Sequence, residues 1–187
     1  MRTPPTSFDS SSKVMTDKPQ IRALVAADLP AYKALRDEML ALHPEAFTSD
    51  ADTEQAKPPA SYLARIGAER ADEAFFVLGA WQRDALIGAI ACERDPRLKV
   101  RHIGHLVGMM VRAEARGHGV GRALLQACVA RAKRVPHMEL LTLTVTSSNA
   151  AAVALYEAIG FKRYGRLVHA IKLGDSYHDK DLMVLAL

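Results

Sequence analysis

The stretch Val111-Arg112-Ala113-Glu114-Ala115-Arg116-Gly117-His118-Gly119-Val120-Gly121-Arg122-Ala123-Leu124-Leu125 decides the fold. An apolar strand pattern runs into a glycine-dense turn and then into a helical pattern that starts near Val120. Glycines let the backbone curl with its amides inward, and a helix start adds unpaired N–H groups and the positive end of its dipole. Such a turn is built to hold a phosphate or pyrophosphate. The spacing excludes two common phosphate loops. The dinucleotide fingerprint needs Gly-x-Gly-x-x-Gly, whereas Gly117, Gly119 and Gly121 alternate with single residues. The nucleoside-triphosphate loop needs Lys and then Ser or Thr after its last glycine, where this chain has Arg122-Ala123.

A second segment follows, from Leu141 through Thr146, Ser147, Ser148 and Asn149 to Leu155, Tyr156, Gly160 and Phe161. Its Leu, Thr and Val residues suit a pleated strand, Ser148 or Asn149 caps the next helix, and Gly160-Phe161 provides a left-handed stop with an apolar contact. Arg116, Gly119 and Gly121 resemble the acyl-CoA pyrophosphate loop of the GNAT N-acetyltransferase superfamily, whose pattern is Gln or Arg, two residues, Gly, one residue, Gly or Ala. Asn149, Leu155-Tyr156 and Gly160-Phe161 resemble the second motif of the same superfamily, in the right order. The resemblance covers roughly residues 21–187.

The resemblance implies a single α/β domain over residues 20–187, with a mixed, mostly antiparallel sheet of about seven strands flanked by about four helices. Strands four and five run parallel and splay apart at a bulge ending strand four. The opening holds the pantetheine arm of acetyl-CoA, the co-substrate, against backbone groups that the splay leaves unpaired. The implied cofactor-binding residues are Met109, Met110 and Val111 on strand four; Arg116, Gly117, His118, Gly119, Val120, Gly121, Arg122 and Ala123 in the loop and helix start; and Asn149 and Tyr156. Arg116 belongs on the pyrophosphate side, with His118 and Arg122 toward the CoA phosphates. The positive side chains oppose the helix dipole unless an anion offsets them.

The implied activity is acetyl transfer from acetyl-CoA to a primary amine by direct attack in a ternary complex. The amine must lose a proton, the developing oxyanion needs a donor, and the thiolate benefits from a general acid. Tyr156 is the candidate acid, competing with a role in packing and bonding the sulfur. A backbone N–H near Met110 or Val111 is the candidate oxyanion donor. For the base, His105 shares a strand face with Val107, Met109 and Val111 by strict alternation, and its imidazole titrates in a useful range. Glu93 competes, as does a water chain. The alternative function is a non-catalytic acyl-CoA-binding regulatory module.

The remaining sequence bounds the partners. The chain has 187 residues, 49% of them hydrophobic, and carries a formal net charge of +4. The length supplies one sizeable core. The Lys and Arg residues are scattered without aromatic interleaving, which argues against nucleic acid. Residues 1–19 are rich in Pro, Ser and Thr, read as a disordered tail without a signal peptide, with Met15 as an alternative start. No apolar run spans a membrane, and a cytoplasmic location is expected. Cys92 and Cys128 are expected to be buried and reduced. His102 and His105 fall on opposite strand faces, so no metal site is expected.

Helices are expected over Leu29–Leu42, capped by Asp28, over Ala60–Arg70 after Pro59, and over Val120–Arg134. Strands are expected near Ile21–Val25, Ala74–Trp81, Leu86–Glu93, Ile103–Val111, Lys162–Leu173 and Leu182–Leu187. The acceptor, a small-molecule or protein amine, should be chosen by Leu42 through Phe47 and by the connection holding Asp175, Tyr177, His178, Asp179 and Asp181. The same parts are where a homodimer would form.

Overall fold

The computed structural model describes residues 18–67 and 74–187. Most of the expected tail, and the far end of the helix expected over Ala60–Arg70, lie outside them. Seven strands form one sheet: β1 (Gln20–Ala23), β2 (Phe76–Gln82), β3 (Ala85–Arg94), β4 (Ile103–Val111), β5 (Leu140–Thr146), β6 (Lys162–Leu173) and β7 (Ser176–Ala186), in the order β1-β2-β3-β4-β5-β7-β6. Only β4 and β5 are parallel; the other neighbours are antiparallel. Among the described residues, four α-helices accompany the sheet: α1 (Leu29–Leu42), α2 (Ala51–Gln55), α3 (Val120–Ala132) and α4 (Ala150–Ile159).

Each face of the sheet carries its own core. Tyr32, Leu35 and Met39 of α1 pack with Tyr62, Val77, Ala89 and Met110 on one face. Leu124, Leu125 and Cys128 of α3 pack with Phe76, Ile90, Leu141, Tyr156, Phe161 and Met183 on the other. Both cysteines are buried, and neither forms a disulfide. At the end of α1 Leu40 is buried, whereas Leu42 is 57% exposed.

Three expected elements differ. Asp28 makes no side-chain cap to α1; it pairs with Arg22 at 2.6 and 2.9 Å and accepts the Val25 amide at 2.9 Å. Arg22 drives the Asp28 carboxyl below its ordinary range. After Pro58 the chain forms only a short 3₁₀ turn, Pro59–Tyr62, and the α-helix of this region is the preceding α2, capped by Asp50 on the Thr53 amide at 2.8 Å. β7 begins at Ser176 rather than at Leu182, because the charges of Asp179, Lys180 and Asp181 are accommodated inside the ladder.

The feature that positions the site is the parting of β4 and β5. They pair from Ile103 with Leu140 to Leu106 with Leu143 and no further, although β4 continues to Val111 and β5 to Thr146. A bulge causes the parting, but it lies within β4 at Gly108 (φ +60°), where the β3 register shifts, and not at the strand end. The extra residue reverses the alternation. Val107 and Met110 both face α1, while Met109 and Val111 face α3. His105, two residues before Val107, therefore shares its face and not that of Met109 and Val111, which corrects the expectation from strict alternation.

Candidate functional site

Past the parting, the β4 backbone offers its open edge to the gap. Arg112 N–H donates to the Ile87 carbonyl at 2.9 Å, so antiparallel alternation turns the Val111 amide and carbonyl away from β3, toward the gap. The Val111 carbonyl accepts Arg116 Nε at 3.1 Å, on that same open side. The gap is continuous with a cavity of about 650 Å³ lined by Met109, Met110, Val111, the loop residues Arg116, Gly117, Gly119, Val120, Gly121 and Arg122 but not His118, and by Asn149 before α4 and Leu155 within it. Met39, His43, Glu45 and Phe47 close its other side.

The glycine loop supplies the head of that cavity. Gly117 and Gly119 have φ of +75° and +78°, and a Cβ on either would project into open space. Gly119 precedes the first turn of α3, whose first backbone bond is Ala123 N–H to the Gly119 carbonyl at 3.0 Å. The amides of Val120, Gly121 and Arg122 thus head the helix without a backbone acceptor, and no acidic side chain occupies the first turn. Gly121 has a different task. A Cβ there would sit 3.2 Å from Met109 Cε and 3.3 Å from Leu155 Cδ2, so glycine lets α3 close against β4 and α4.

Of the charged side chains of the loop, Arg116 and Arg122 line the cavity. Arg116 folds back over the cavity rim, with Nη2 at 2.7 Å from His43 Nε2 and 3.9 Å from Met39 Sδ. It braces the loop against α1. His118 is exposed, with Nδ1 at 2.8 Å from the Arg116 carbonyl, and Arg122 is exposed. Ala123 is half-buried in the first turn of α3. Asn149 caps α4 by accepting the Ala152 amide at 3.1 Å, and the helix closes at Gly160 (φ +109°) with Phe161 N–H donating to the Tyr156 carbonyl at 3.1 Å.

A smaller cavity of about 210 Å³ adjoins the same gap. Leu106, Val107, Gly108, Thr144, Tyr156 and Lys180 are among its lining residues, and it shares Ala46, Phe47, Met109, Thr146 and Asn149 with the larger one. Tyr156 is 7% exposed, with its ring edge-on to Phe161 at a centroid distance of 5.9 Å. Burial, with a lesser contribution from Cys128, pushes its phenol up to about 12, so it keeps its proton at neutral pH. Across the gap, Thr146 Oγ1 donates to the Glu45 carbonyl at 2.8 Å, tying the 3₁₀ turn Pro44–Ala46 to β5.

The two base candidates lie apart from these linings. His105 is exposed with Nδ1 at 2.6 Å from Thr142 Oγ1, and Glu93, its partner across the β3–β4 ladder, faces Arg65 at 3.7 Å. Of the two segments expected to choose the acceptor, Leu42 through Phe47 brings His43, Glu45, Ala46 and Phe47 to the cavities, while Leu42 and Pro44 are in neither lining. Two of the three acids of the other, Asp179 and Asp181, are occupied. Asp181 accepts from Arg166, Arg163 and Ser147, and Asp179 accepts the His169 amide. Sequence reasoning missed Lys180, which the expected strand start at Leu182 left in a loop; pairing β7 with the alternating Thr residues of β5 would have found it.

Comparison with known proteins agrees with this architecture. Residues 32–161 match the Acetyltransferase (GNAT) family. The N-alpha-acetyltransferase 30 of Saccharomyces cerevisiae is 33% identical over 92 residues, 49% of this chain and 52% of that protein. The mycothiol acetyltransferase of Salinispora tropica is 32% identical over 76% of this chain and 44% of its own length. The chain thus spans about half the length of these two relatives. Among solved structures, a GNAT-family acetyltransferase from Streptococcus pneumoniae superposes with a TM-score of 0.82 over 91% of this chain and 99% of that one, at 23% identity. A putative acetyltransferase from Salmonella typhimurium, solved with its cofactor acetyl-CoA, gives 0.73 over 91% and 94%, at 22% identity. With a family match across most of the sheet and the gap between β4 and β5 that goes with it, the chain belongs to the GNAT family of acetyltransferases.

Proposed function

We propose that the protein is an N-acetyltransferase that moves the acetyl group of acetyl-CoA to a primary amine within a ternary complex. The observation that carries this reading is the gap between β4 and β5, open-edged along Val111 and headed by the acceptor-free amides of α3. That combination suits a long ligand with amide groups along its arm and a pyrophosphate at one end. Acetyl-CoA, when bound, supplies the activated thioester. Gly117, Gly119, Val120 and Gly121 would receive the pyrophosphate, and the Val111 amide, turned toward the gap, would be the donor for the thioester carbonyl oxygen.

Tyr156 supplies the proton for the departing thiolate, since its phenol is fully protonated at neutral pH and lines the cavity beside the gap. The proton of the incoming amine passes to water, because the imidazole of His105 and the carboxylate of Glu93 stand outside both linings. An amine acceptor is supported by relatives named for N-alpha-acetyl transfer.

The test is a calorimetric titration with acetyl-CoA, followed in the same preparation by thiol release across amino acids, amino-terminal peptides, polyamines and amino sugars. Binding with amine-dependent thiol release is expected. Binding with no release on any amine would instead identify an acyl-CoA-binding module, and no binding would overturn the reading of the loop.

A further inference from the structure

We propose that Lys180 anchors a carboxylate carried by the acceptor, so that the protein acetylates amines bearing a carboxylate near the reacting nitrogen. This rests on the amine-acetylating reading above and narrows it. Lys180 lines the smaller cavity together with Tyr156, and it is 9% exposed. Among the described residues its ammonium has neither a hydrogen-bond partner nor an ion pair, and it is the sole Lys, Arg, Asp or Glu in that lining. Burial pulls its pKa below the ordinary lysine value.

The acids nearest in sequence do not answer it. Strand alternation sends Asp181 to the opposite face, where it is held by Arg166 at 2.7 Å, Arg163 at 3.2 Å and Ser147 at 2.9 Å. Asp179 is bound to the His169 amide at 2.9 Å. A desolvated cation facing a cavity without a counter-charge is costly, and an arriving carboxylate removes the cost by pairing with it. Thr48 and Thr144 add hydroxyls to the same lining, and Phe47 and Val107 supply an apolar wall for the rest of the acceptor. The second cationic group of a polyamine would be repelled at this place.

The carboxylate has two possible sources, the α-carboxylate of a free amino acid or the side chain of an acidic first residue in a peptide. Two series of product mimics separate them, titrated into the full-length protein saturated with CoA. One series compares N-acetylated amino acids with their carboxamides. The other compares N-acetylated peptide amides that begin with Asp or Glu with those that begin with Asn or Gln.

In one series the acid should bind on the order of thirtyfold more tightly than its neutral counterpart. Lys180→Met should abolish that preference, Lys180→Arg should keep it, and acetyl-CoA affinity should be the same in all three proteins. Equal binding of acid and neutral forms in both series of the unaltered protein would overturn the proposal, as would a preference that survives Lys180→Met. Because these titrations need no turnover, their result is independent of thiol release. A protein that releases no thiol but prefers the acids would defeat the transferase reading alone.

Discussion

Tyr156 shows how one side chain takes on a role through its surroundings. Solvent is withheld from the ring by Phe161 and the α3 core, and the phenolate is disfavoured accordingly. Tyr156→Phe should reduce turnover by about a hundredfold. It should change the acetyl-CoA dissociation constant by less than about twofold, a split read by steady-state kinetics beside calorimetry. His105 gives the opposite expectation. With its imidazole exposed and bonded to Thr142, His105→Ala should retain the acidic limb of the pH–rate profile, and loss of that limb would return the residue to the role of base. Asn149 and Tyr156 were legible in the sequence because each belongs to a local motif whose spacing the helix preserves. The face of His105 was not, since a single inserted residue at Gly108 reverses every alternation beyond it. The direction of Arg116 was likewise hidden, because its partners His43 and Met39 come from a distant helix.

Among the elements, the loop and α3 form one unit whose glycines do separate work. Gly119→Ala would force a side chain into the left-handed region at a cost of about 1–2 kcal/mol, measurable as a lowered urea midpoint. Its new methyl projects into open space, so packing within the protein is untouched, and acetyl-CoA affinity should fall with it if the amides receive the pyrophosphate. α1, β4 and β6 appear in the structure with the bounds that their sequence patterns give, although Asp28 leaves α1 without a side-chain cap and the alternation of β4 breaks at Gly108. β7 was only half legible. A run of Asp179, Lys180 and Asp181 reads as a solvated turn until the arginines of β6 that neutralise Asp181 are in place. The 3₁₀ turn after Pro58 carries no such signal, since its conformation is set by Tyr62 reaching a buried carboxylate at Glu54.

At the scale of the whole molecule, that carboxylate couples three segments. Glu54 of α2 accepts from Arg36 of α1 at 2.9 Å, from Tyr62 at 2.6 Å, and from Lys57. Burial alone would raise its pKa, but these bonds outweigh it and hold the carboxyl at about 2. Tyr62 is pushed the other way, to about 12, by burial and by Glu54. A carboxyl depressed in the folded state stabilises the protein above its unfolded pKa and stops doing so as pH falls through the folded value. The urea midpoint should therefore drop between about pH 5 and pH 2, and Glu54→Gln should flatten that drop while lowering the midpoint at pH 7. The bond from Thr146 to the Glu45 carbonyl has a different kind of consequence. It ties the turn that follows α1 to the β5 rim of the wedge, where Met39, His43, Glu45 and Phe47 wall one side of the cavity. Were acetyl-CoA to lie in the gap as proposed, its arm would have to slide past this tie to leave, so release of the spent coenzyme is expected to be slower than that of a small acetylated amine, an order that product-inhibition kinetics would check.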